Sequence, residues 1–288
     1  MGGELHPVRR DPAPSAGFRV SRRNRTLKIV VTVKLVPDTN ADKRIDPGTK
    51  RLVRPPAETV LNPFDEYAIE AALQLKEQLN DGSTVTIVSM TPESGKEIVR
   101  KALAMGADDA VMLSDEKFAG SDVWGTAYAL ATAIRSIGFD LVLTGTQSTD
   151  AITGELPGAL AEYLAVPGLT YAREIALDGG RLRVKRETDT GYQTLSAATP
   201  ALVSVTKSAN QPRYPSLKGI MGAKKKDIRI LAHSDLELAK AVGSDGAKTE
   251  VVALAAPPAR AKGRVVTAAD GAEGAAAIVE FLREKKLL

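Results

Sequence analysis

The chain has 288 residues, 43% hydrophobic and 26% charged, enough to bury the core of a soluble globular protein as one large domain or two small ones. It has no cysteine and only two histidines, His6 and His233. This excludes disulfides, thiolate nucleophiles, iron–sulfur clusters and cysteine-ligated zinc, and leaves little for a Ser-His-Asp hydrolase or a histidine-rich metal site.

The net charge of +4 is unevenly placed. Arg9, Arg10, Arg19, Arg22, Arg23 and Arg25 against Glu4 and Asp11 put all of it in residues 1–26, so residues 27–288 are neutral. The sequence pI of 9.1 therefore points to no nucleic-acid partner for the folded part. Residues 1–26, rich in Arg and Pro and lacking an apolar stripe, read as a disordered basic leader rather than a transit helix or signal peptide. No apolar run approaches the roughly 18 residues that span a bilayer, so the expectation is a cytoplasmic protein without stable membrane insertion.

From Leu27 a regular pattern begins. "LKIVVTVKLVP" predicts one buried parallel strand. "LNPFDEYAIEAALQLKEQL" predicts a helix opened by Asn62, Pro63, Asp65 and Glu66, with Ala68, Ala71, Ala72, Leu75 and Leu79 on its apolar face. Then "TVTIVSM", "ESGKEIVRKALAMGA", "DAVMLS", "DVWGTAYALATAIRSIG", "DLVLTG" and "GELPGALAEYLAV" alternate as strand and helix. Such alternation without early hairpins predicts an α/β fold, an open doubly wound, mostly parallel sheet with helices on both faces.

After Pro167 two turn signals, "DGG" and "DTG", separate alternating segments expected to form antiparallel ribbons on the sheet's edge. "PRYPSLKGIMGAKKK" follows, with Leu217, Ile220 and Met221 in a segment broken by Pro215, Gly219 and Gly222 and closed by Lys224, Lys225 and Lys226. A loop so interrupted offers no continuous face on which to bury three large side chains, and exposed apolar residues beside lysines describe a docking site. A satellite core contact is the alternative. Three regions result: the leader 1–26, an α/β domain at 27–234 with a recognition loop at 210–226, and an extended arm at 235–288 with a terminal helix.

"TGTQSTDAITGELPG" joins a buried strand to a helix with glycines and hydroxyls and no side-chain cation. It reads equally as a surface turn or as a cradle in which Gly145, Ser148, Thr149, Thr153 and Gly154 offer backbone and hydroxyl donors to a phosphate. Asp150 is either a structural cap or an acceptor for a ligand. Ligands of such sheets settle at the strands' carboxyl ends where the strand order reverses, and this stretch is at such an end.

Taken together, "VTVKLVPD", "LNPFDEYAIEAAL", "ALAMGAD", "GTQSTDAITGELP", "VKRETDTGYQTLSAATPALVS" and "PRYPSLKGIMGAKKK", in this order, resemble the β subunit of electron-transfer flavoproteins over roughly residues 27–286, with Thr190 departing from the usual Gly, Asp or Glu. The resemblance implies an adenine-nucleotide-binding type of sheet in a heterodimer with an α subunit holding a redox-active FAD. The β subunit then binds a structural AMP and has no catalytic residue or metal of its own. Carried over by position, the AMP site is Thr32, Asn62, Pro63, Phe64, Asp65, Met90, Gly145, Thr146, Gln147, Ser148, Thr149, Asp150, Ala151, Ile152 and Thr153. Partner recognition falls on Leu217, Ile220, Met221, Lys224, Lys225 and Lys226, with Leu217 the anchor. Implied partners are acyl-CoA or other flavin dehydrogenases, as in fatty acid oxidation, and a quinone-reducing acceptor. The competing readings are a stand-alone adenine-nucleotide-binding module, a hydrolase or transferase using the same pocket, and an electron-bifurcating relative with a second FAD in place of AMP.

Overall fold

The computed structural model describes residues 26–255 and 262–288, with the backbone alone of residues 20–21. The remainder of the expected leader lies outside the described residues. Compact units run up to Glu250 and from Val251 to Leu288.

The first unit is built on a ten-stranded sheet. At its centre β2 (Lys28–Thr32) lies between β9 (Leu141–Gly145) and β7 (Thr84–Met90), and β8 (Asp109–Leu113) follows β7, all parallel. Val, Ile and Leu fill these strands because both sheet faces are covered. Helices α1 (Pro63–Leu79) and α2 (Lys96–Ala104) pack on one face over Ile29, Val31, Val85, Ile87 and Leu141. Helices α3 (Val123–Ile137) and α4 (Leu156–Leu164) pack on the other over Val30, Val88, Val111 and Val142. The doubly wound α/β architecture read from the alternation is the one observed. The chain runs from β2 outward through β7 to β8, then returns to the other side of β2 for β9, so the strand order reverses between β2 and β9.

Four elements differ from the pattern. The strand expected from Leu27 to Pro37 divides, because the Lys34 N–H donates to the Asp65 carboxylate (2.8 Å) and the chain leaves the sheet there. Its second half, β3 (Leu35–Pro37), pairs antiparallel with β6 (Thr59–Leu61), and a small ribbon of β4 (Ile45–Asp46) and β5 (Arg51–Leu52) lies between them in sequence. Antiparallel β10 (Gly168–Asp178), β11 (Arg181–Thr188) and β12 (Gly191–Ala198) form the expected edge ribbon, turned at Gly179 and Gly180, both with positive φ. However, β13 (Ala201–Val205) is wholly buried and enters the sheet parallel, between β10 and β9. The segment read as a loop after Pro215 is a helix, α5 (Leu217–Lys225), because the Ser216 hydroxyl accepts from the Gly219 N–H (3.0 Å) and caps it. "IRIL", unassigned from sequence, is β14 (Ile228–Leu231), parallel to β8 at the far edge.

Within the leader, the backbone of β1 (Val20–Ser21) pairs parallel with Leu177 and Asp178 of β10. Residues after β14 fold back along α3. Leu236 and Val242 join its core, and a single turn, α6 (Gly243–Gly246), follows. Among its described residues the second unit holds one helix, α7 (Gly271–Glu284), capped by Asp270 and with no buried residue. Ile278, Val279 and Phe281 are exposed on it.

Candidate functional site

A cavity of about 460 Å³ opens at the carboxyl ends of the strands on both sides of the β2/β9 reversal. Thr32 ends β2, Met90 ends β7, and Thr144 and Gly145 end β9, all in its wall. From the helix starts come Asn62 and Asp65 of α1, Asp122, Val123 and Thr126 of α3, and Leu156 and Pro157 of α4. Parallel strands align their carboxyl ends and hence the following helix N-termini, so the topology by itself collects polar loops and unpaired N–H groups here.

Asn62 organises the wall. It makes no side-chain cap to α1. Instead its Nδ2 donates to Asp65 Oδ1 (2.8 Å) and to the Gln147 carbonyl (2.9 Å), and its Oδ1 accepts from the Thr149 N–H (3.2 Å). One buried amide thus joins the start of α1 to the loop after β9. Gly145 completes the junction, since a Cβ there would meet Asp65 Oδ1 at 2.5 Å and the Phe64 backbone at 2.8 Å.

Two buried carboxylates take opposite paths. Burial raises Asp65, and the Lys34 and Gly145 N–H groups, the Asn62 amide and the Lys34 charge act against it without offsetting it. Its pKa rises from 3.8 to about 7. Asp150, its side chain 1% exposed, is bonded by Lys34 Nζ at 2.7 Å and Arg54 Nη2 at 2.5 Å. Burial pushes Asp150 up, but the Lys34 charge and the bonds from Lys34, Arg54 and Ser148 overcome it and bring the pKa down to about 2. Both oxygens are occupied by cations, so Asp150 is a poor general base and holds the loop in place.

Of the residues singled out from sequence, Thr32, Asn62, Asp65, Met90, Gly145, Gln147, Ser148, Ala151 and Thr153 line the cavity. Pro63, Phe64, Thr146, Thr149, Asp150 and Ile152 are not in its lining. Phe64 acts through its backbone against Gly145, Thr149 through its N–H to Asn62, and Asp150 through the two cations. Ile152 is 63% exposed and takes a left-handed backbone (φ 57°), a conformation that costs a β-branched residue ~1–3 kcal/mol.

The sequence reading of a site without side-chain cations is corrected here. Lys34 and Arg54 both line the cavity, arriving from the turn after β2 and the segment after β5. Neither was legible in the loop, because each is brought to it from about a hundred residues away. Thr91, Pro92, Ser121, Asp122, Val123, Thr126 and Leu130 were missed for the same reason. The Thr91 hydroxyl is buried with no partner at the wall.

On α5, Leu217, Ile220 and Met221 are 76%, 41% and 58% exposed, so none is a core contact. Tyr214, beside them in sequence, is 93% exposed. Lys224 and Lys225 are exposed, but Lys226 is half-buried and donates to the Ala107 carbonyl (2.6 Å), which makes it a fastening of the helix. Among the described residues no His, Asp or Glu cluster could hold a metal ion, and no helix is long and apolar enough to cross a membrane.

The model of the "Electron transfer flavoprotein domain" family matches residues 51–236. A Mycobacterium bovis protein named electron transfer flavoprotein subunit beta is 42% identical over 265 residues, covering 90% of this chain and 99% of its own. The protein of that name from Thermoanaerobacterium thermosaccharolyticum is 41% identical over 243 residues, 84% and 92% of the two chains. The CarD subunit of the caffeyl-CoA reductase-Etf complex of Acetobacterium woodii is 37% identical over 264 residues, 91% and 100% of the two chains.

Proposed function

Since the chain belongs to the electron transfer flavoprotein β-subunit family, we propose that it pairs with an α subunit carrying FAD, binds AMP in the cavity between β2 and β9, and receives electrons from flavin dehydrogenases. The redox chemistry would be supplied by the flavin, held in this reading by the α subunit, which would carry electrons from a reduced dehydrogenase to a quinone-reducing acceptor. This chain's residues bind, orient and select.

The observation that carries the nucleotide reading is the cavity's composition at the topological switch point. Its volume falls within the roughly 300–1,000 Å³ of small-molecule sites. Lys34 and Arg54 supply positive charge for a phosphate, with the Ser148 hydroxyl beside Lys34 (3.2 Å). The unpartnered Thr91 hydroxyl is a donor awaiting an acceptor. Val33, Leu35, Met90, Pro92, Val123 and Leu130 offer apolar surface to a base. Both Asp65 oxygens accept bonds, from the Lys34 N–H and the Asn62 amide, and both Asp150 oxygens are held by cations, so neither carboxylate is free to act on a bound nucleotide, which favours a structural role.

Two surfaces serve partners in this reading. The unburied apolar side of α7 is covered by the α subunit, because a 38-residue unit with no buried helix residue cannot stand alone in water. Helix α5 docks the dehydrogenase through Leu217, Ile220 and Met221, with Lys224 and Lys225 steering. The reductase complex named for the CarD relative fits a partner acting on acyl-CoA compounds.

The test is a ligand count. The purified heterodimer is denatured, and released AMP and flavin are quantified against protein. One AMP and one FAD per pair is the expected result; two flavins per pair overturns the AMP assignment in favour of a bifurcating type, and a colourless monomer that turns over ATP overturns the whole reading.

A further inference from the structure

Arg213 belongs neither to the cavity nor to the exposed face of α5. It sits in the irregular stretch between β13 and α5, and its guanidinium grips two acids of α1. Nε and Nη2 donate to Glu70 at 2.7 and 3.0 Å, and Nη1 and Nη2 to Glu77 at 2.5 and 3.0 Å. The Arg213 N–H also donates to Glu70 (3.2 Å). Glu70 is buried in the middle of α1 and is braced by Gln74 Nε2 (2.7 Å). Three residues earlier, Asn210 Nδ2 donates to the Tyr67 carbonyl (2.9 Å). Positions 67, 70, 74 and 77 lie along one face of a helix, so the stretch is laid on α1 at several points in register.

Only Tyr214, Pro215 and the cap Ser216 separate this grip from Leu217. Proline fixes one of those backbones, so little slack remains. The far end of α5 is held separately, by Arg100 Nη1 on the Ala223 carbonyl (2.8 Å) and Lys226 on Ala107. Leu217 itself is too exposed to be placed by packing. Its position is set by what holds the backbone on each side.

We propose that Arg213 is a positioning residue for dehydrogenase docking: the Glu70–Arg213–Glu77 clamp fixes the N-terminal end of α5 and thereby presents Leu217. This rests on the docking reading given above. An anchor already in place need not be ordered on binding, so loss of the clamp weakens association without touching the flavin. Guanidinium geometry is required because one planar group makes two bonds to each of two carboxylates, four in all, which the three N–H donors of an ammonium cannot match.

The experiment uses the FAD-loaded heterodimer as electron acceptor from an acyl-CoA dehydrogenase reduced by its acyl-CoA substrate. Leu217→Ala, Arg213→Met and the double variant are compared for KM and kcat, with dithionite reduction of the flavin as a control. Arg213→Met is expected to raise KM on the order of tenfold, with kcat and dithionite reduction unchanged. The double variant is expected to add little to Leu217→Ala, because both remove the same anchor. A raised KM in Leu217→Ala with none in folded Arg213→Met, or fully additive effects, overturns the clamp while leaving the docking reading intact. An unchanged KM in Leu217→Ala overturns the docking reading and the clamp with it. Should Arg213→Met fail to assemble, Glu77→Gln removes only the outer arm of the grip on a half-exposed carboxylate; a smaller rise in KM supports the clamp and an unchanged KM overturns it.

Discussion

In the cavity wall a carboxylate, Asp65, is buried; on α5 a leucine, Leu217, is three-quarters exposed. Each is the reverse of where folding alone would put it. The cavity hides polar groups and satisfies them from several chain segments, and that suits a small ligand held inside. Helix α5 leaves its large apolar groups in water and buries only Ala223, and that suits a macromolecule arriving from outside. The two regions differ in what a substitution should cost: stability and ligand in the first, association in the second.

The sharpest way to break this contrast is Asn62→Ala. It strips partners from Asp65, the Gln147 carbonyl and the Thr149 N–H together. A loss of about 3 kcal/mol in denaturant unfolding is expected, with AMP missing from the purified protein. Unchanged stability would show that the wall does not depend on its buried amide.

Next in size is the contrast between the two carboxylates. Asp150 has a folded pKa near 2 against an ordinary 3.8, so its contribution is present above pH 3.8 and lost as pH falls toward 2. Asp150→Asn should cost on the order of 1–2 kcal/mol at pH 7, allowing for screening at its partly exposed cations. Asp65 has the opposite sign. Its folded pKa near 7 lies above the ordinary 3.8, so the folded state holds the extra proton and stability declines as pH rises from 3.8 to 7. Asp65→Asn should flatten that decline, which thermal melts at pH 5 and pH 7 will read.

On α5 the expected effects leave stability alone. Leu217→Ala should keep the melting temperature, AMP and FAD unchanged and weaken electron transfer from the dehydrogenase by about 1–2 kcal/mol. If the protein unfolds instead, the leucine is core. The smallest effect is expected from Lys224→Glu with Lys225→Glu, which should slow association and reduce its dependence on salt. Lys226→Gln should act differently from these two, lowering the melting temperature slightly, since its ammonium holds the Ala107 carbonyl.

Much of the fold was legible because periodicity is a local property. The apolar runs of β2, β7, β8 and β9 and the faces of α1 and α3 are written in neighbouring residues. The loop at 145–153 could be recognised from its own composition, and the exposed face of α5 from its broken apolar pattern. The errors share one cause. The strand at Leu27–Pro37 looked continuous because nothing nearby says that Asp65 will take the Lys34 N–H. β14 was too short to announce itself away from the edge of β8. Lys34 and Arg54 were ordinary surface charges until the fold set them on Asp150.

The sequence by itself thus determined the doubly wound sheet and the family, and it marked the loop that the fold sets at the cavity. Those rest on hydrophobic periodicity and on motif order, both readable along the chain. Only the tertiary structure decided that Lys34 and Arg54 reach the cavity wall, that Asp65 and Asp150 titrate in opposite directions, and that Arg213 grips α1 beside Leu217. Charge, burial and partner geometry depend on distances between residues far apart in sequence, and these exist only once the chain has folded.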